Sequence, residues 1–177
     1  CQGGRLPGIP GQDAEGVTTA VEFLHHANTG KEKVTGEVVV VGGGNVAIDA
    51  ARVSARSGAG KVTMLCLETE DIMPASREEV KEARDDGVIV NCGWGPKEVL
   101  IENGKVTAIV FKKCLSVYDE NKKFHPVYDE NELLTLPADK VIFAIGQKIE
   151  WGDLLSGSTV ELGRGNGPVA DGLTYQT

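Results

Sequence analysis

Residues 37–56 constrain the fold of this chain more than any other stretch. Glu37-Val38-Val39-Val40-Val41 is an unbroken β-branched run, and Gly42-Gly43-Gly44 follows it directly. A strand without polar alternation belongs in a sheet covered on both faces, as parallel sheets with helical crossovers are. Beyond the glycines, residues 45–57 read as a helix. Ala47, Ala50 and Ala51 give it a small-residue face, and Asp49, Arg52 and Arg56 a more polar side. Gly42-Gly43-Gly44-Asn45-Val46-Ala47 therefore matches G-x-G-x-x-A at a strand-to-helix turn. Gly42 permits the tight turn, Gly44 lets the main chain approach a pyrophosphate, and Ala47 lets the helix sit close on the sheet. The free N–H groups and positive dipole end of the helix suit a diphosphate. Asn45 is expected to cap that first turn with its side chain. S-adenosylmethionine enzymes also use glycine-rich first turns and form the main rival class.

The surrounding pattern alternates helix and strand. Val17, Ala20, Val21, Leu24 and Ala27 recur at helical spacing before Gly30, while residues 1–16, rich in Gly and Pro, read as irregular connecting chain. A second strand is expected over Lys61–Leu67. Ser76-Arg77-Glu78-Glu79 has the spacing of a capping box opening a helix that ends at Gly87, and Val88-Ile89-Val90 is a third strand. This order predicts an α/β, Rossmann-like parallel sheet with helical crossovers. Residues 98–111 then form a hairpin signature around Asn103-Gly104, the start of a small antiparallel β-meander spanning about 97–137. Residues 116–135 carry Val-Tyr-Asp-Glu-Asn twice and read as a solvated excursion before a third meander strand. Lys140–Gly146 reads as a buried strand returning to the parallel sheet. The expected organisation is a linker and first helix over 1–34, a nucleotide-binding domain over 35–147, and a polar, glycine-rich connection over 148–177.

Charge and composition exclude several functions. Eighteen basic against 26 acidic side chains give a net charge of −8. That balance argues against nucleic acid or an anionic membrane as the main partner. Val141–Ile145 is the longest apolar run, far short of the roughly 20 residues of a spanning helix. Cys1, Cys66, Cys92 and Cys114 include no Cys-x-x-Cys pair, which favours a reducing, cytoplasmic setting. Cys1 stands where a Met would begin a chain, so the chain reads as processed or cut from a longer one; a lipid-anchored N-terminal Cys is the thinner alternative. His25, His26 and His125 lack partners at metal-ligand spacing, and Asp119-Glu120-Asn121 lacks the Gly and closing Glu of a calcium loop. No metal site and no nucleophile–base–acid set is expected. Cys66, Cys92 and Cys114 read as buried inert thiols, and Trp94 as a packing anchor.

The end of the second strand bears on the choice of coenzyme. An acid there bonds a ribose 2′-hydroxyl, whereas arginines accept a 2′-phosphate. The sequence runs Cys66-Leu67-Glu68-Thr69-Glu70-Asp71, with no Lys or Arg between Val62 and Arg77. Glu68 lies 68 − 47 = 21 residues past Ala47, close to the interval of about 20 that the motif carries, although the usual acidic position ends the strand itself, at Cys66, and Glu68 is offset from it by about two. NADH is therefore expected in preference to NADPH.

Residues 42–52 and 62–75 resemble the small (β) subunit of glutamate synthase and related flavin-dependent pyridine-nucleotide oxidoreductases. Gly-Gly-Gly-Asn-Val-Ala-Ile-Asp-Ala-Ala-Arg at 42–52 is similar to the nicotinamide-domain fingerprint of that family. Met73-Pro74-Ala75 is similar to its Met-Pro-Ala turn, and Ala138–Gln147 to its strand leading back to the flavin. Leu6–Gly11 with Gly16-Val17 resembles the linker entering the domain. The resemblance implies an NAD(P)H domain inserted into an FAD domain that this chain does not itself contain. It implies hydride transfer to FAD and onward transfer to an iron–sulfur or large-subunit acceptor. Gly43, Gly44, Asn45 and Val46 would then cradle the pyrophosphate, and Ala144, Ile145 and Gly146 line the nicotinamide end at the carboxyl edge of the sheet. No catalytic acid or base is implied on this domain. The chain departs from the glutamate synthase subunit where that protein has Tyr-Arg-Arg and this one has Cys66-Leu67-Glu68. A stand-alone NADH-binding redox sensor and, further off, a methyltransferase are the alternatives.

Overall fold

The computed structural model describes residues 2–31 and 33–177. Cys1 lies outside the described residues, and with it the processing and anchoring readings. Among the described residues the α-helices and strands follow in the order β1 (Gln2–Gly4), β2 (Val17–Thr19), α1 (Ala20–Asn28), β3 (Glu37–Val41), α2 (Asn45–Arg56), β4 (Lys61–Cys66), α3 (Arg77–Asp85), β5 (Ile89–Cys92), β6 (Trp94–Glu102), β7 (Lys105–Tyr118), β8 (Phe124–Pro137), β9 (Lys140–Phe143) and β10 (Gln147–Ile149), with two short 3-10 turns after them. Five strands form a parallel sheet in the order β2-β9-β3-β4-β5, and β6-β7-β8 form an antiparallel meander. The α/β architecture with a meander is the one the residue pattern predicts.

The valine run of β3 shows why alternation is missing there. Val38 and Val40 join a core with α1, α2 and α3, packing against Phe23, Ala47, Ala51 and Val80. Val39 and Val41 face the other way, into a core with Ile109, Phe111 and Val99 of the meander. β4 and β9 divide likewise, with Met64 and Ile142 on the helical side and Leu65, Val141 and Phe143 on the meander side. Both faces are covered, so Val38–Val41 run without polar alternation.

Several local expectations shift. Val17 belongs to a strand rather than the first helix, pairing in parallel with Val141. The helix instead starts after Thr19, whose hydroxyl accepts from the Glu22 N–H while the Glu22 carboxylate accepts from the Thr19 N–H. This is a complete capping box. At Ser76 only half of that arrangement forms. Its Oγ accepts from the Glu79 N–H at 3.3 Å, and Glu79 Oε2 is buried without a hydrogen-bond partner among the described residues. Gln2–Gly4 is not irregular chain but pairs antiparallel with Gln147–Ile149, joining two stretches expected to be linkers. The excursion over 116–135 is strand except for the turn at 119–123, because β7 and β8 stay paired as far as Tyr118 opposite Phe124. The aromatic rings of that last pair meet edge to face, their centroids 6.4 Å apart.

Candidate functional site at the carboxyl edge of the sheet

The glycine turn leaves β3 in a conformation that its residues and neighbours enforce together. Gly42 has φ +147°, and a Cβ there would run into the Ala144 carbonyl. The Gly42 N–H donates to the Leu65 carbonyl at 2.8 Å, and the Ala144 N–H to the Val41 carbonyl at 2.7 Å. β4 and β9 thus grip the turn from both sides. Gly44 is the N-cap of α2, with no side chain bonded to the helix start, and a Cβ added to it would meet nothing within 4 Å. Among the described residues, no hydrogen bond uses the N–H groups of Gly43, Gly44, Asn45 or Val46. Four bare donors at a helix N-terminus are what an anion requires.

Asn45 does not cap this helix. Its Oδ1 accepts from the Ser76 N–H at 3.1 Å, and beside it the Gly43 carbonyl accepts from the Ala75 N–H at 2.9 Å. The turn around Met73-Pro74-Ala75 is therefore a brace for the glycine loop. With the Asn45 side chain engaged outward, the helix-start donors stay free for a ligand.

The residues singled out in the sequence converge here. A cavity of about 470 Å³ is lined by Gly42, Gly43, Gly44, Cys66, Leu67, Glu68, Ala144 and Ile145. A neighbouring cavity of about 430 Å³ takes in Asn45, Val46 and Gly146, and shares Gly44 and Ala144 with the first. Ala47 lines neither. It is fully buried beneath the loop, seating the helix on the sheet. The Glu68 carboxylate lies 2.8 Å from the Cβ position of Gly43, with Cys66 Cβ at 3.0 Å.

Other lining residues come from far along the chain. Trp94, Pro96, Phe124, Pro126 and Tyr128 wall the larger cavity from the meander, and Pro7 and Ile9 from the segment between β1 and β2. Trp94 packs into the meander core, as an anchor should, and also faces the cavity, with Lys113 Nζ 4.7 Å from its ring centre. Burial raises the Tyr128 phenol above its ordinary value. Neither Tyr128 nor Phe124 had any local signal, because the long β7–β8 pairing alone carries them there. Among the described residues no three His, Cys, Asp or Glu side chains gather as a metal site, and no helix is long and apolar enough to cross a membrane.

A parallel sheet whose central strand, β3, turns into a helix with bare donors facing a pair of adjoining cavities defines a dinucleotide-binding domain of Rossmann type. Comparison with known proteins places it further. The chain belongs to the pyridine nucleotide-disulphide oxidoreductase family, whose pattern matches residues 2–175. It is 38% identical over 154 residues to the putative oxidoreductase AegA of Escherichia coli, covering 78% of this chain and 23% of that protein. It is 32% identical over 185 residues to the glutamate synthase [NADPH] small chain of Halomonas elongata, covering 96% of this chain and 39% of that one. Thioredoxin reductase of Lactococcus lactis shares the fold, with a TM-score of 0.69 at 18% identity over 97% of this chain and 50% of its own. The chain thus spans about a quarter to two fifths of the length of these curated relatives.

Proposed function

We propose that this chain is the nicotinamide-dinucleotide-binding part of a flavin-dependent oxidoreductase resembling the glutamate synthase small chain. The observation that carries the reading is the set of four unpartnered N–H groups at Gly43–Val46, opening onto two cavities that meet at Gly44 and Ala144. One cavity suits each half of a dinucleotide. The family match favours such a ligand over S-adenosylmethionine.

In this reading the loop and α2 dipole hold the diphosphate. Ala144, Ile145 and Gly146 place the nicotinamide at the carboxyl edge. Glu68 accepts a hydrogen bond from an adenosine ribose hydroxyl and repels a 2′-phosphate, so NADH is preferred even though the Halomonas relative is named for NADPH. When bound, the nicotinamide supplies a hydride to FAD held by a companion domain, and electrons pass on to an iron–sulfur or large-subunit acceptor. This chain's residues bind and orient; none is assigned a proton-transfer step. The paired β1 and β10 would lead towards the FAD domain.

Calorimetry with each coenzyme tests the assignment. NADH should bind, and more tightly than NADPH; equal or tighter NADPH binding removes the preference. With NADH and a dye acceptor the isolated chain should show no turnover. Robust dye reduction without added flavoprotein would contradict the division of labour.

A further inference from the structure

Cys66 ends β4 and Cys92 ends β5, and the two are direct partners in the parallel register. Their Sγ atoms lie 3.7 Å apart. Neighbouring strands run about 4.8 Å apart, inside the roughly 4.4–6.8 Å between Cα atoms that a disulfide spans. Closing the sulfurs to a bond of about 2.05 Å asks for side-chain rotation and a small shift of the strand ends. Cys66 is buried yet lines the larger cavity, while Cys92 is half-buried and open to a small oxidant. Among the described residues the remaining thiol is occupied elsewhere, since Cys114 Sγ donates to the Ser116 carbonyl at 3.3 Å.

We propose that Cys66 and Cys92 form a reversible dithiol–disulfide site at the rim of the cavity, taking small-molecule disulfides as oxidant. The Cys92 thiolate attacks the disulfide, forming a mixed disulfide and releasing one thiolate. Cys66 then loses its proton to solvent and attacks the Cys92 sulfur, expelling the second thiolate. Two cysteine thiols are oxidised by two electrons, and one external disulfide is reduced to two thiols. Burial, reinforced by the adjacent Cys92, holds the Cys66 thiol well above its ordinary pKa. The second step is consequently the slow one, and the pair rests as dithiol until Cys92 is captured.

Closure reaches the coenzyme site through one turn. The Cys66 thiol donates to the Glu68 carbonyl at 3.5 Å, and that carbonyl also accepts from the Gly93 N–H at 3.0 Å. Bridging removes the thiol donor and draws Cys66 Sγ towards β5, beneath the residue that flanks Gly43. Loss of one such bond weakens dinucleotide binding by about fivefold. By linkage, bound dinucleotide protects the dithiol by the same factor. This coupling rests on the coenzyme reading; the bridge does not.

The full chain is equilibrated with reduced and oxidised glutathione, and its peptides are read by mass spectrometry. A Cys66–Cys92 linked peptide, two hydrogens lighter and reversed by dithiothreitol, is expected in the parent and in C114S, and absent in C92S. Glutathione retained on Cys92 without a bridge, or Cys66 joined instead to Cys114, would overturn the site. NADH affinity is then measured on both forms. A fall on oxidation in the parent but not in C92S supports the coupling, and an unchanged affinity overturns it. If the reduced chain binds no NADH while the bridge forms, the coenzyme reading fails and the thiol site stands.

Discussion

Two glycines of one turn should fail in opposite ways when given side chains. At Gly42, an L-residue at φ +147° costs about 1–3 kcal/mol in backbone strain. Crowding against the Ala144 carbonyl adds about 1–3 kcal/mol. Gly42→Ala should therefore lose roughly 2–6 kcal/mol, a fall in melting temperature on the order of 10 °C for a chain of this size. At Gly44 the backbone is extended, φ −96° and ψ 172°, and nothing lies within 4 Å of an added Cβ. A β-branched residue tolerates that conformation, so Gly44→Val costs only about 1 kcal/mol as a poorer cap. Its methyl groups instead occupy the room where a diphosphate would meet the bare donors. Losing two charge-assisted hydrogen bonds weakens binding by about 100-fold or more. Thermal unfolding followed by circular dichroism and NADH titration, read by energy transfer from Trp94, separate the two effects. A Gly42→Ala chain melting within about 2 °C of the parent, or a Gly44→Val chain binding NADH with the parent's affinity, would refute the reasoning.

Glu68→Arg should shift the ratio of NADPH to NADH affinity by about tenfold or more towards NADPH in calorimetry, because a guanidinium replaces the carboxylate beside the ribose. Asn45→Ala removes the exposed brace to Ser76, costing about 0.5 kcal/mol in denaturant unfolding, and should weaken NADH binding a few-fold as the loop loosens. Asp86 sits at the end of α3, where hydrogen bonds from Arg52 and then Arg56 of α2 hold its carboxyl below the ordinary 3.8. A depressed folded pKa contributes stability that is present above the ordinary value and lost as pH falls through the folded one. Asp86→Asn should lower the melting temperature at neutral pH and lower it by less in acid, as the parent's carboxyl becomes protonated. An equal loss at both pH values would show that the ion pairs are not its source.

What the sequence disclosed was whatever neighbouring residues decide among themselves. The turn out of β3, the small face of α2 and the two-sided burial of the valines are each local consequences of residue type. Spacing put Glu68 just past the end of β4, offset by about two residues from the usual acidic position, and the structure brings its carboxylate beside Gly43. Val17 was misplaced because a three-residue strand has no period of its own; only pairing with Val141 makes it one. The β7–β8 arm was misread because alternation along a half-exposed strand with Asp, Glu and Asn resembles solvated loop. Its partner strand decides the matter, and with it the arrival of Phe124 and Tyr128 at the cavity.

Asn45 shows the same limit at the scale of one side chain. At the start of a helix it reads as a cap, yet the Ser76 N–H claims its oxygen from 31 residues away. The exchange has a functional logic. A side-chain cap would consume the donors that an anion needs, whereas an outward-facing Asn stiffens the loop and leaves them bare. Gly42 is held by Leu65, Gly43 by Ala75 and Asn45 by Ser76, so the cradle is set before a ligand arrives and little ordering entropy is spent on binding. The same rigidity explains why an added carbon is ruinous at Gly42 and harmless to the fold at Gly44. One faces the Ala144 carbonyl, and the other faces the space the brace keeps open.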